Sequence, residues 1–267
     1  MASRYFNPLC LFLTVVCLCW ADPILNVQHP IDVYLTPQLY YSCQEAHENG
    51  FGFKGIYAIS LNRPDSIPYR WTWVVCNNTM HSASTVILYR AEGLENFHRT
   101  WAEYVNGFGT AKTDYWFGLE NIRNLTEQGN NVLTITFIDW MGNRKQIRYN
   151  QFRLGPAPEY KLLLGSHGVG DVPDDLWFHK DLPFRAPKKA DKRTESGMSC
   201  ADALKVGWWF LSKNHCAYTL LTGHFYRADS ARMCVSRKPF PMCDGIYWQD
   251  WSGFKPLKTV IVELSNN

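Results

Sequence analysis

Apolar and polar positions alternate most cleanly over residues 132–139, where Leu133, Ile135 and Phe137 fall on one side and Thr134 and Thr136 on the other. A period of two predicts a strand with one buried face. Trp140, Met141, Gly142 and Asn143 then make a turn and residues 145–152 return, so the stretch reads as a β-hairpin. The same pattern predicts a strand at residues 55–59 with residues 69–75 as its partner, further strands at 86–90 and 160–164, and a last strand at 259–264. Helical spacing is rarer. Phe97, Trp101, Tyr104 and Phe108 recur every three to four positions and predict one amphipathic helix with an aromatic core face, ended by Gly107 and Gly109. Residues 42–50 predict a short helix stopped by Gly50. Residues 171–199 are rich in Pro, Asp and Lys without any period and read as long ordered loops. The class that follows is α+β: a mostly antiparallel sheet, a few short helices and a loop-rich C-terminal third.

The first 21 residues stand outside this pattern. Arg4, an apolar run from Leu9 to Cys19 and the sequence Cys19-Trp20-Ala21 have the layout of a secretory leader with its cleavage site. The run is too short to cross a bilayer, and no later segment is apolar for the length needed. Residues 22–36 follow as an extended lead with Pro23 and Pro30, and residues 37–267 as the globular domain. Neither a heptad nor a Gly-X-Y repeat occurs, so the expectation is a monomer or weak oligomer without a stem. Of nine cysteines, Cys10, Cys17 and Cys19 leave with the leader, and six remain. Six cysteines allow fifteen pairings. Neighbourhood in the sequence favours Cys43–Cys76, Cys200–Cys216 and Cys234–Cys243. A zinc site is the competing use of these thiols, but no CxxC or CxxH spacing supports one.

Composition narrows the function further. A net charge of +3 is too mild to imply nucleic acid. Aromatic residues reach 15%, which suits a loop-rich core built from rings. Neither a Gly-x-Ser-x-Gly elbow nor an HExxH helix is present, so catalysis is not expected. Gly165-Ser166-His167-Gly168-Val169-Gly170 lacks the Lys-Ser/Thr and the helix of a phosphate loop. Arg185, Lys188, Lys189, Lys192 and Arg193 form a basic run, read either as solvated surface or as an anionic-glycan patch. Asn77-Asn78-Thr79 and Asn124-Leu125-Thr126 are glycosylation sequons, both beside predicted turns.

The stretch with the most candidate chemistry is residues 200–223. Cys200 and Cys216 bracket the adjacent pair Trp208-Trp209, followed by Phe210, and Leu221-Thr222-Gly223 comes after. A short strand here would bury one tryptophan and present the other. The loop is either a recognition site or a stapled turn that only holds the fold. Together with Asp244-Gly245-Ile246-Tyr247-Trp248 it resembles the ligand-binding end of the fibrinogen C-terminal (fibrinogen-related) family, which includes ficolins, tachylectin-like lectins and angiopoietins. The order Phe97, Trp101, Tyr104, then Gly107-Phe108-Gly109, then Trp116-x-Gly118-Leu119-x-Asn121-Ile122-x-x-Leu125-Thr126 carries the same resemblance. It runs from Cys43 to Leu264.

The resemblance implies a fibrinogen C-terminal-like globe, Cys43–Cys76 and Cys200–Cys216 as family disulfides with Cys234–Cys243 as an addition, and a secreted, extracellular, non-enzymatic recognition protein. Its ligand is either a glycan, as in lectins of innate defence, or a protein, as in angiopoietin-type members. Lectin members hold an acetyl group between a Tyr four residues after the first loop cysteine, a His after the second, and a Tyr-Ala pair before Asp-Gly-Ile. Leu204, Ala217, Met242 and Cys243 stand at those positions. Leu204, Trp208, Trp209, His215, Ala217, Met242 and Trp248 are therefore the candidate ligand-binding set. The family often has a cis peptide bond before the second cysteine, here the one from His215 to Cys216.

The family's calcium ion implies two Asp side chains at alternate positions. Asp191 fits the first, Arg193 occupies the second, and Glu195 is a possible substitute. Calcium needs six to eight oxygens, and a fixed cation beside Asp191 opposes a second one. No cofactor is expected, and calcium binding is expected to be impaired or absent. Thermal unfolding checks this: midpoints with calcium and with chelator should coincide, whereas a tight site would add about 2.7 kcal/mol at a hundredfold excess over its dissociation constant. A calcium-dependent rise that Asp191→Ala abolishes would show a working site.

Overall fold

A computed structural model describes residues 38–50, 52–61, 70–79, 82–110, 113–187, 199–211, 215–228, 234–235 and 242–266, with only the backbone at 234, 235 and 242. The leader, the lead at 22–36, Asp191, Glu195 and the basic run beyond Arg185 lie outside the described residues. The main sheet takes in β1 (Leu39–Tyr40), β2 (Gly55–Ser60), β3 (Trp71–Asn78), β4 (Ala83–Arg90), β5 (Phe108–Gly109), β6 (Tyr115–Trp116), β7 (Val132–Ile138) and β8 (Arg144–Tyr149). It is completed by Val169–Gly170 and the closing strand Thr259–Ser265. The order is β1-β2-β3-β4-closing strand-β7-β8-(169–170), with β6 and β5 joined to β4. Pairing is antiparallel except between β1 and β2.

The alternation read from the sequence is present. Leu133, Ile135 and Phe137 are all buried, and Ile135 lies opposite Ile147 in the hairpin register. The closing strand runs between β4 and β7, with Val262 facing Leu88 on one side and Ile135 on the other. The strand predicted at 160–164 shrinks to Leu162–Leu163, paired with Arg153–Leu154.

The aromatic stripe does not form one long helix. Helix α1 is Cys43–Glu48, as expected, but α2 covers only Trp101–Asn106. Thr100 caps α2, and Glu103 reaches back to the Thr100 backbone in a capping box, so the helix starts at Trp101 and leaves Phe97 outside it. Gly107 ends it at φ 95°, and a Cβ there would meet the Phe117 carbonyl oxygen at 2.6 Å. The rings still converge. Phe97 and Tyr104 both pack edge-on against Phe108, at 4.9 and 5.1 Å. Helix α3 (Leu119–Glu127) carries most of the second half of the family motif and buries Leu119, Ile122 and Leu125; no periodicity announced it.

Disulfides join Cys43 to Cys76 and Cys200 to Cys216. Cys243 is also disulfide-bonded, and the short antiparallel pair Cys234–Val235 with Met242–Cys243 sets Cys234 directly opposite it. Among the described residues no helix is long and apolar enough to cross a membrane.

Beneath the end of β4 lies a buried ion pair. Arg90 is 1% exposed and Asp114 0%. Asp114 accepts the backbone N–H groups of Ala91, Glu92 and Gly93 and stands 3.8 Å from Arg90 Nε. Burial pulls the guanidinium down to about 10 against the opposing pull of Asp114, which leaves it charged at neutral pH. Removing one partner of a buried pair strands the other charge and typically costs about 3–5 kcal/mol. Asp114→Ala should lower unfolding free energy by that order in urea titrations, and a loss below about 1 kcal/mol, the range of exposed pairs, would show that the pair carries no such role.

Candidate functional site

The C-terminal loops are organised by one histidine. His179 ends the short 3-10 turn Asp175–His179 and is 0% exposed. Its Nδ1 donates to the Trp209 carbonyl at 2.7 Å, and its Nε2 accepts the backbone N–H groups of Tyr218 at 3.2 Å and Thr219 at 3.3 Å. This bonding requires the neutral ring with its proton on Nδ1. Burial pushes the imidazole pKa down from 6.5 to about 4. One side chain thus ties the 175–179 turn to the Trp-Trp segment and to the segment after Cys216.

Both tryptophans are buried, Trp208 at 2% and Trp209 at 4% exposed, which corrects the expectation that one would face solvent. The pair does not sit on a strand. Trp208 makes a single backbone bridge with Arg185, and its ring packs edge-on against Trp209 at 5.1 Å. Trp209 is held by Phe184 at 5.0 Å and donates Nε1–H to the Tyr160 carbonyl at 2.7 Å. Without alternation, both rings turn inward.

The positions implied for an acetyl pocket are also interior. Leu204 ends the short helix Cys200–Leu204 and is 2% exposed; Ala217 is 2% and Cys243 4% exposed. The Met242 side chain lies outside the described residues. Trp248 is fully buried, donates Nε1–H to the Pro173 carbonyl and packs on Phe137 at 4.7 Å. Of the described side chains in the candidate set, only His215 is half-buried. The cis peptide bond among the described residues is Ala157–Pro158, so the His215–Cys216 bond is trans.

His215 belongs to a surface cluster that sequence reasoning missed. Its ring stands 4.3 Å from Tyr218, and its Nε2 is 3.3 Å from Gln249 Oε1. Tyr218 stacks on Phe178 at 4.0 Å and 21°, and Phe178 is 48% exposed. Phe178 sits in an aperiodic loop and Tyr218 follows a cysteine, so no pattern in the sequence links them. The cluster offers aromatic faces beside an imidazole and an amide, which is binding chemistry.

Among the described residues no group of three or more His, Cys, Asp or Glu could hold a metal ion. The first sequon runs off the end of β3, where the Thr79 N–H donates to the Ser82 carbonyl at 2.8 Å, and so lies beside a turn as expected, whereas the second lies within helix α3. Asn77 lies in β3 and donates to Glu263 at 2.7 Å, while Asn124 lies inside α3, where Thr126 donates to the Arg123 carbonyl.

Beneath the site sits a buried acid. Asp175 is 0% exposed; its Oδ2 accepts the Asp250 N–H at 3.0 Å, and its Oδ1 has no hydrogen-bond partner. Burial, with the nearby Asp250 and Asp174, raises its pKa from 3.8 to about 7. A raised pKa means that its stabilisation is full below 3.8 and is lost as pH rises through about 7. His179, whose pKa is depressed, stabilises above 6.5 and loses that contribution as pH falls through about 4. The two slopes oppose each other over the same interval. Asp175→Asn removes one of them, so its melting temperature relative to the parent should climb steadily between the carboxylate pKa of 3.8 and the raised value of about 7. A difference independent of pH would show that Asp175 does not titrate across this interval.

Residues 39–263 match the family model described as fibrinogen beta and gamma chains, C-terminal globular domain. Over 213 residues the chain is 34% identical to angiopoietin-related protein 6 of Mus musculus, covering 79% of this chain and 42% of that protein. Over 228 residues it is 35% identical to angiopoietin-related protein 2 of Homo sapiens, covering 84% and 43%. It therefore spans about two fifths of the length of these relatives. Among solved structures, the fibrinogen-like globe domain of human ANGPTL6 aligns with a TM-score of 0.71 at 30% identity, over 87% of this chain and 99% of that one. A lamprey fibrin D-dimer complexed with the peptide Gly-His-Arg-Pro-amide aligns at 0.71 with 26% identity, over 85% and 74%.

Proposed function

The chain belongs to the fibrinogen C-terminal globular domain family, and from that membership we propose that it is a secreted, non-enzymatic recognition module whose ligand is an extracellular protein. The observation that carries this reading is the fate of the acetyl-pocket positions. Leu204 and Ala217 replace a phenol and an imidazole and are both buried in the core. They offer no hydrogen bond to a sugar, and each lost bond weakens binding by about 0.5–1.5 kcal/mol. The angiopoietin-related identity of the relatives supports the same choice. The surface left for contact is the Phe178–Tyr218–His215 cluster, and exposed aromatic rings beside polar groups suit protein interfaces.

One observation favours a glycan instead. The stacked Phe178 and Tyr218 rings leave an aromatic face half open, and a sugar ring could lie on it. Two measurements on the full chain separate the readings. Retention on immobilised N-acetylglucosamine should be absent. Cell-surface binding should survive glycosidase treatment of the cells, be abolished by trypsin, and fall about tenfold in Phe178→Glu, the loss expected for an aromatic anchor. Saturable binding to the sugar at micromolar concentration, or binding that glycosidases remove, would overturn the protein reading.

A further inference from the structure

Alternation along β3 puts Trp71, Trp73, Val75 and Asn77 on its solvent face, while Val74 and Cys76 between them are fully buried on the core face. The open side of an antiparallel sheet is ordinarily polar. Here Trp71 is 43% and Trp73 52% exposed. Their partners across the pairing with β2 are Ser60 and Ala58, which are buried and too small to wall the rings in. Among the described residues the two rings pack edge-on against each other at 5.6 Å and meet no other ring, and neither indole N–H has a hydrogen-bond partner. Trp209 and Trp248, by contrast, each spend that donor on a carbonyl.

Asn77, on the same face of the same strand, opens the sequon Asn77-Asn78-Thr79. It is half-buried, and its Nδ2 donates to Glu263 Oε1 at 2.7 Å, an oxygen that also accepts the Ser84 hydroxyl at 2.8 Å. That bond uses one of the two Nδ2 hydrogens. A substituent in place of the other leaves it intact, so Glu263 holds the asparagine side chain in place on the sheet face. Asn77 and Trp73 are four positions apart along one face, about 13 Å at the rise of a strand. An asparagine side chain and the first few sugar rings of a core glycan span that distance.

The size of the patch selects its occupant. A whole aromatic side chain has about 150–250 Å2 to bury, so at these exposures the two rings offer roughly 200 Å2, against about 800 Å2 per partner in a standard protein interface. A second copy of the chain needs more. A sugar needs one ring face for its C–H groups, and its hydroxyl and N-acetyl oxygens accept from the indole N–H groups. A ligand tethered to the same strand also needs little affinity, because the tether supplies a high effective concentration. We propose that Asn77 carries an N-linked glycan whose core sugars lie on the Trp73 and Trp71 rings. Transfer from a lipid-diphosphate oligosaccharide to the nascent chain forms the Nδ2–C1 bond and breaks the C1–O bond to the diphosphate, which leaves. One Nδ2 proton passes to a base of the transferring enzyme. The assignment is independent of which ligand the domain recognises and rests only on the secretory part of the reading above.

The test uses the full chain with its leader, made in a secretory host that leaves glycans in the oligomannose form. Peptide mapping of the secreted protein should find Asn77 occupied. An endoglycosidase that cuts between the first two sugars should then release this glycan from the native protein about tenfold more slowly than from Trp71→Ser/Trp73→Ser, the protection expected of one aromatic stacking contact. After denaturation the two rates should coincide. Both replaced residues are exposed, so the digested proteins should melt together; Trp73→Ser alone should give a smaller acceleration in the same direction. An unmodified Asn77 on the secreted chain, or native rates equal in the parent and both variants, would overturn the proposal. So would concentration-dependent dimerisation of the glycosylated chain that Trp73→Ser abolishes, since a second copy would then occupy the rings. A chain retained in the cytosol would overturn both this assignment and the secretory reading.

Discussion

A permanent positive charge with almost no access to water sits at the end of β4, and much of the loop structure around it satisfies that charge. Arg90 is flanked by the Asp114 carboxylate, donates through Nη1 to the Leu221 carbonyl and lies over the Phe97 ring. Each of those groups comes from a different part of the chain. Asp114 precedes β6, Leu221 belongs to the C-terminal loops, and Phe97 leads into α2. A buried cation left unpaired is far more costly than the chain entropy of ordering one loop. The pair therefore fixes how the 91–97 segment, the sheet and the 221–225 segment meet.

Beyond the sheet, side chains do the work of backbone ladders. The C-terminal third has few paired strands, and its loops are tied by polar tips of buried side chains. The Thr222 hydroxyl donates to the Gly207 carbonyl, that of Thr219 to the Tyr247 carbonyl, and that of Tyr247 to the Ala217 carbonyl. Trp209 and Trp248 each bury a ring and spend the indole N–H on a distant carbonyl. An aromatic residue with a polar tip supplies apolar area and one directed bond at once. That is why a domain with long irregular segments is so rich in Trp and Tyr.

What could be read in advance follows from which forces are local. Strand period is local, so the 132–149 hairpin and the closing strand were legible, but the position of the closing strand between β4 and β7 depends on pairings that period two does not encode. The stripe from Phe97 to Phe108 was legible as core and not as a helix, because capping at Thr100 and the positive φ of Gly107 outweigh ring spacing. The Trp208-Trp209 pair was legible as important and misread in orientation, since a single bridge to Arg185 imposes no alternation. The Phe178–Tyr218 stack was not legible, because forty residues separate two rings that meet only through the His179 clamp.

That clamp bears on recognition as well as on folding. Leu204 and Ala217 are part of the core, and burial of apolar area favours keeping them there. Contact chemistry then has to come from side chains that remain partly in solvent. Phe178 is the neighbour of His179 in sequence, and the Tyr218 amide is bonded to its Nε2. One buried, neutral imidazole thus fixes the backbone beneath both stacked rings. Ordering an interface side chain on binding costs about 0.5–1.5 kcal/mol, and rings held in place before the partner arrives avoid much of that cost. The residue that makes the C-terminal loops a unit is therefore also the one that presents the exposed aromatic surface in a single, ready conformation.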